Sequence, residues 1–257
     1  MKDNGTKITY KSLGKNPHGD NRINLKNVPK INSKKEFKKH LNDEEMHFIS
    51  VTDFETFAVD KFTYNRKKLL LLEPNPVTFY FSIAFDLISQ FENTKQQLKK
   101  ILKTEQPNER LLSIIYSAIF KIGSIGVVFS FLSIEAFINQ ELPDYGKIDF
   151  KNKKATKEEI QRWASFEDKL INIIPRVSKK DFCKKYTRQG VVLRDYKKLR
   201  DELVHLKQNR KDGLASYNKI YQDILNLDLK KIVLIVKNYI NFYKPKTIEN
   251  YEKKEET

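Results

Sequence analysis

Between Leu111 and Ile134 the chain carries a single charged residue, Lys121, in an otherwise apolar run, and this stretch limits the possible folds more than any other. About twenty such residues in a helix are long enough to cross a bilayer. Against a membrane span stand Lys121 itself, the serines spread along the run, and its direct continuation into an amphipathic pattern that includes Glu135 and Asn139. A helix from about Glu109 to Leu142, buried on most sides by neighbouring helices, accommodates all three, so no membrane partner is expected. Gly123 and Gly126 are three apart, not the four of a small-residue dimerisation motif, and suit a kink or a close helix approach.

A central helix of this kind needs others around it. Phe81, Phe85, Ile88, Phe91, Leu98 and Leu102 mark an amphipathic helix before it, and Pro107 fits the start of the central one. Pro143 and Gly146 end that helix, and a lysine-rich loop (KIDFKNKKATKEE) follows. Thr156 and Glu159 have capping-box spacing and open a helix whose apolar face is Trp163, Phe166, Leu170 and Ile173, closed by Pro175. Gly190 precedes a helix with the stripe Val192, Tyr196, Leu199, Leu203 and Leu206, with Asp212-Gly213 as its stop. A last helix runs from about Leu214 to Tyr243. The expected class is all-α, an antiparallel helical bundle.

The N-terminal third reads differently. Residues 1–41 hold 11 Lys/Arg and 3 Asp/Glu with few large apolar side chains, and read as a flexible basic arm. From His47 to Leu72 short apolar and aromatic pieces suggest a small β-hairpin or irregular cap. The expected organisation is the arm at 1–41, an extension with cap and first helix at 42–105, a helical domain at 106–246 and a charged tail at 247–257.

With 49 Lys+Arg against 33 Asp+Glu, the formal charge is +16, a bias towards polyanions such as RNA, DNA or an anionic membrane surface. Cys183 is the chain's one cysteine, which excludes an intramolecular disulfide and reads as a small buried hydrophobe. No apolar leader follows Met1, so a cytoplasmic location is expected. Asp43-Glu44-Glu45 beside His47 lacks metal-ligand spacing, and there is no phosphate-cradling glycine loop, CxxC pair or serine-nucleophile elbow, so no metal or cofactor is expected.

The stretch KKLRDELVHLK (Lys197–Lys207) holds the chain's one histidine beyond position 47, His205, five residues after Arg200. At about 100° per residue Arg200 lies at the edge of the apolar stripe and His205 nearly opposite it. His205 is therefore not a core histidine, and an ordinary solvated face with Arg194, Lys198 and Asp201 is one reading. The other is catalytic. Cleaving RNA through its own 2′-hydroxyl needs a base, an acid and cations to stabilise the phosphorane. One His and one Arg per chain fall short of that set, whereas two chains meeting at a two-fold axis supply two of each.

Arg-x4-His with Asp201 directly after the arginine, inside LRDELVH on a late amphipathic helix, resembles the signature of the HEPN superfamily. FLSIEAFINQEL (Phe131–Leu142) is similar to the first core helix of many such domains, and WASFEDKLINII (Trp163–Ile174) to the helix that follows. The resemblance covers roughly Ser113 to Tyr243. These are all-α domains of prokaryotic toxins, abortive-infection proteins and RNA-targeting CRISPR effectors. The resemblance implies a metal-independent endoribonuclease site at a homodimer interface, built on Arg200 and His205, with Asp201 orienting Arg200 and Glu135 bonding it. Where the family usually has Asn or His after the arginine, this chain has Asp.

Lys184, Lys185, Arg188, Arg194, Lys197 and Lys198 are the candidate RNA contacts, in a region (Lys147 to Lys211) of 20 basic and 9 acidic residues. RNA, a second copy of the chain, and an antitoxin or regulatory protein are the implied partners. A non-catalytic module binding RNA or a protein through the same helices is the main alternative, and a membrane-associated immunity protein using residues 111–134 is a third.

Overall fold

In a computed structural model of the protein, residues 9–14, 47–51, 56–72, 74–104, 106, 108–143, 146–151, 153–205, 209–211 and 214–249 are described. The chain divides into two compact units, Met1–Pro74 and Asn75–Thr257.

The first unit is a four-stranded antiparallel meander: β1 (Thr9–Gly14), β2 (His47–Val51), β3 (Thr56–Tyr64) and β4 (Lys67–Leu72), in that order across the sheet. Tyr64 pairs with Lys67, and the two residues between them, Asn65 and Arg66, have φ of 50° and 64°. Positive φ at both central positions is what a type I′ hairpin requires, and its twist matches that of the strands it joins. Two expectations are corrected here. Residues 9–14 belong to a paired strand and not to a flexible arm; the rest of 1–41 lies outside the described residues. The 47–72 segment supplies three strands of a sheet, more than a hairpin cap. Strand-favouring Thr9-Tyr10 sits among lysines, and the charge of the segment hid that local pattern.

The second unit is helical: α1 (Pro76–Ile101), α2 (Glu109–Glu141), α3 (Lys157–Trp163), α4 (Phe166–Asp168), a π-helical turn (Lys169–Ile173), α5 (Ile174–Ser178), α6 (Phe182–Lys185), α7 (Thr187–Val204), α8 (Asn218–Leu225) and α9 (Leu229–Tyr243). Two short antiparallel hairpins interrupt it, β5 (Ile148–Phe150) with β6 (Lys153–Ala155), and β7 (Asn209–Lys211) with β8 (Leu214–Ser216). The chain is thus mostly helical. The unit boundary at Pro74/Asn75 places α1, grouped with 42–105 in the sequence reading, in the helical unit.

Local sequence explains most helix ends. Asn75 and Asn108 cap α1 and α2 by accepting from the amides of Val77 and Leu111. The capping box at α3 is complete: Glu159 N–H donates to Thr156, and Thr156 N–H donates to the Glu159 carboxylate.

Helix α2 is the axis of the unit and packs against α1, α7, α8 and α9. From Gly123 onward its Val127, Phe131, Ile134, Phe137 and Ile138 are almost fully buried, together with Phe81 and Phe91 of α1 and Tyr239 of α9. Burial on most sides fails nearer its start, where Leu111 is 43% and Ile114 56% exposed. Among the described residues α2 is the one helix long and apolar enough to cross a membrane, and 28% of its most apolar window is buried.

A Cβ at Gly123 would come within 2.7 Å of Ile224 Cγ2 and 2.8 Å of the Phe91 ring, both in fully buried side chains. The glycine therefore sets the spacing of α2 from α1 and α8. Gly123→Ala should destabilise the protein in urea melts, because overpacking two stiff groups costs ~1–3 kcal/mol and the gain in helix propensity returns only up to ~1 kcal/mol.

Several helix boundaries differ from the sequence reading. Helix α3 stops at Trp163, which is 63% exposed and so not on the core face; Ser165 caps the next turn. Pro175 does not close that run: it sits in the first turn of α5, directly after the π turn, and Lys179 in the left-handed region (φ 57°) ends it. The first turn is where a proline's missing N–H costs least. The lysine-rich loop contains the β5–β6 hairpin. Helix α7 begins before Gly190, which lets the helix approach Cys183 closely: a Cβ there would lie 3.1 Å from Cys183 Cβ. Cys183 itself is half-buried.

Helix α7 ends at Val204, well short of Asp212-Gly213, which lie outside the described residues; Lys211 and Leu214 on either side of them are paired strand residues. Such a pair between strands is a hairpin signal as much as a helix stop. Leu206 lies outside the described residues. The last helix is broken at Asn226–Asp228, where Asp228 caps α9 and Lys95 Nζ donates to the Leu227 carbonyl at 2.9 Å. The expected tail begins with a docked residue, because Ile248 is 1% exposed and exchanges two hydrogen bonds with the Asn241 side chain.

Candidate active site

Leu193 and Tyr196 are buried and bring α7 against α2, so that residues 65 apart in sequence, Glu135 and Arg200, meet. Arg200 Nη2 donates to Glu135 Oε2 at 3.0 Å and Nη1 donates to Asp201 Oδ1 at 2.9 Å. Beneath the guanidinium lies the Phe131 ring, 4.4 Å from Cζ to centroid. Phe131 is one helical turn before Glu135 on α2 and packs against Phe166 at 4.3 Å between centroids. The arginine is thus fixed by two carboxylates and an aromatic ring at cation–π distance, an arrangement that its planar fork and weak hydration suit. Its side chain is 20% exposed, and among the described residues two of its five N–H donors are committed.

Asp201 is held from its other side by Lys197, whose ammonium lies 2.7 Å from Oδ2. Partial burial alone would raise the Asp201 carboxyl, but the hydrogen bonds and charges of Lys197 and Arg200 outweigh it and hold the group below the usual carboxylate range. A depressed folded-state value means that Asp201 lends stability above the unfolded value of about pH 3.9, and that this is lost as pH falls through the folded value. Thermal melts of Asp201→Asn should therefore lie below those of the native protein at pH 6 and converge with them in strong acid.

Glu135 also faces a second cation. Lys169, at the first position of the π turn, donates to the Gln161 carbonyl at 3.1 Å. Burial lowers its ammonium, and the nearby Glu135 charge works in the opposite direction. Glu135 lines a cleft of ≈510 Å³ with Tyr80, Asn139, Gln140, Lys157 and Gln161. Phe131 and Lys169 were not singled out by the sequence. The one signal for Phe131 is its position four residues before Glu135, and it acquires meaning only when α7 is placed.

His205 is the C-cap of α7. Its backbone leaves the helix (φ −116°, ψ 56°) while its amide donates to the Asp201 carbonyl at 2.9 Å. The side chain is exposed, and it makes no hydrogen bond within the described residues. The geometry brings Arg200, Asp201 and Glu135 together and leaves His205 outside that cluster, at the end of the helix that carries Arg200.

The other candidate contacts are dispersed. Arg194, Lys197 and Lys198 line a cleft of ≈360 Å³ with Phe166 and Val191. Lys198 pairs with Asp195 at 3.3 Å in the open. Lys185 lies 5.5 Å from the centroids of the Tyr186 and Phe242 rings, which ties it to the surface of its own unit. Lys184 is beside Lys185 in the single turn of α6, and Arg188 is at the start of α7. Comparison with known proteins finds no matching family model, no matching curated protein and no matching solved structure.

Proposed function

We propose that the protein is a metal-independent endoribonuclease of HEPN type, acting on RNA as a homodimer in a toxin or phage-defence role. The observation that carries this reading is the pre-oriented guanidinium of Arg200, clamped by Glu135 and Asp201 one turn from a solvent-facing histidine on a basic surface. Histidine is the side chain able to exchange protons near neutral pH without a metal, and arginine can bridge two phosphate oxygens.

In a two-fold dimer one imidazole takes the proton of the 2′-hydroxyl, whose oxygen attacks the adjacent phosphorus. The P–O5′ bond breaks, and the second imidazole protonates the departing 5′-oxygen. The products are a 2′,3′-cyclic phosphate and a 5′-hydroxyl. The arginines stabilise the charge gathering on the phosphorane. End-group analysis of labelled RNA incubated with the purified protein in EDTA tests this: cyclic-phosphate ends are expected, and 5′-phosphate ends, or cleavage that stops on chelation, would overturn it.

A second reading has its own observation. Glu135 and Asp201 offset the charges of Arg200 and Lys197, with Lys169 as a further cation near Glu135, so the cluster serves as an ionic tie between α2 and α7. A non-catalytic module that binds RNA or a protein partner would keep such a tie for its structural value. It predicts RNA binding without cleavage under any buffer condition.

A further inference from the structure

A second basic surface lies around the π turn. The β5–β6 hairpin and the turn enclose a cleft of ≈650 Å³, and a second cleft of ≈420 Å³ continues from it towards α6; Asn172 and Arg176 line both. Seven cationic and three carboxylate side chains line the pair, a net of +4.

We propose that these adjoining clefts form a track for the phosphodiester backbone of single-stranded RNA, a site distinct from the Arg200 cluster. The proposal rests on the reading of RNA as substrate. Two of the three carboxylates are already occupied. Asp168 accepts from Ser165 and pairs with Lys151 at 3.1 Å, and Asp181 caps α6 by accepting from the Lys184 amide. Lys153, Lys154, Lys179 and Lys180 are exposed and make no ion pair within the described residues. Their charge is therefore unspent, and a neighbouring polyanion is what would neutralise it.

Two of the lining lysines stand where the backbone turns. Lys151 and Lys179 both sit at positive φ, 46° and 57°, at the tip of the hairpin and at the end of α5. Arg176 Nη1 donates to the Asp149 carbonyl at 3.0 Å, which fastens the hairpin to α5 and fixes the shape of the larger cleft. The lining also includes the Phe150 ring and the Asn172 amide. The Phe150 ring is half-buried and has the Lys151 ammonium 5.0 Å from its centroid, so the exposed Asn172 amide is the group that can hydrogen-bond a base edge; a duplex keeps those edges paired, and this favours a single strand over a double one.

The test measures binding of a fluorescent single-stranded RNA oligonucleotide by anisotropy across a salt series, in protein carrying His205→Ala to prevent turnover. Replacing Lys153, Lys154, Lys179 and Lys180 together by Gln should make the log–log salt dependence shallower by about 0.7 for each phosphate no longer neutralised, up to roughly 3, with at least ~10-fold weaker binding at low salt. A control with the same change in net charge replaces the exposed Lys99, Lys100, Lys103 and Lys230 by Gln. Equal weakening by both sets would overturn the track in favour of diffuse attraction. Unchanged binding by the first set would overturn it outright, as would binding of anionic phosphatidylserine vesicles by a protein that fails to bind RNA. Cleavage is scored separately on the chain with His205 intact. If that chain cuts no RNA while the first set alone loses binding, the track stands and the nuclease reading falls.

Discussion

RNA cleavage should fall by at least ~10²-fold in both Arg200→Ala and His205→Ala, the loss typical of removing a group that moves protons or stabilises charge in the transition state. The two variants differ in what else they disturb. His205 is exposed at the end of α7 and its side chain makes no hydrogen bond or ion pair within the described residues, so His205→Ala should keep native helicity and melting temperature. Arg200→Ala leaves Glu135 and Asp201 without their shared partner, and a modest loss of stability is expected alongside the loss of activity. Lysine at position 200 should rescue poorly. An ammonium lacks the planar fork that lets the guanidinium bond both carboxylates while its carbon stays 4.4 Å from the Phe131 centroid. Full activity in a His205→Ala dimer would return the histidine to an ordinary solvated helix end and leave the Arg200 cluster as a structural tie.

The largest effect on stability is expected at Phe131, which is 1% exposed and touches both Phe166 and Arg200. Removing a buried aromatic ring costs ~3–5 kcal/mol, a large part of the 5–15 kcal/mol typical of a whole domain, so Phe131→Ala should lose most of its resistance to urea. Phe131→Leu is the informative companion. It keeps most of the apolar volume, so its stability should fall by only ~1 kcal/mol, yet it removes the aromatic face beneath the guanidinium. If that face orients Arg200, cleavage should fall several-fold in a protein that still folds. Unchanged cleavage in Phe131→Leu would show that the two carboxylates hold the arginine alone.

What could be read from the chain before its structure was whatever local spacing decides. The threonine capping box, the length of α2, the close approach at Gly123 and the apolar stripe of α7 from Val192 to Leu203 all follow from residues within a few positions of one another. Where two local structures share a signal, spacing alone does not choose between them. Asp212-Gly213 fits a helix stop and a hairpin turn equally, and only the pairing of Lys211 with Leu214 decides between them. Strand β1 was hidden because its partner, β2, lies more than thirty residues away. The candidate site was legible only in part for the same reason. The Arg200–Asp201 contact is between neighbours, whereas the Glu135 contact crosses the core and was suggested by resemblance alone. The Phe131 platform and the Lys169 ammonium depend on how three helices meet, which no spacing in the sequence encodes.

The π turn at Lys169–Ile173 has a consequence for how this chain can vary. A π turn carries one more residue than the α turn it replaces, so it is the place in the helical unit where the chain can lose a residue and keep both flanking helices where they are. Deleting Ile171 should leave Phe166 in the core and Pro175 in its first-turn position. The surplus is carried by the side chains between them, and Asn172 is the one that lines both clefts. Chains of this kind with one residue fewer in the segment should therefore keep the fold and the Arg200 cluster, and differ in what the neighbouring groove accepts.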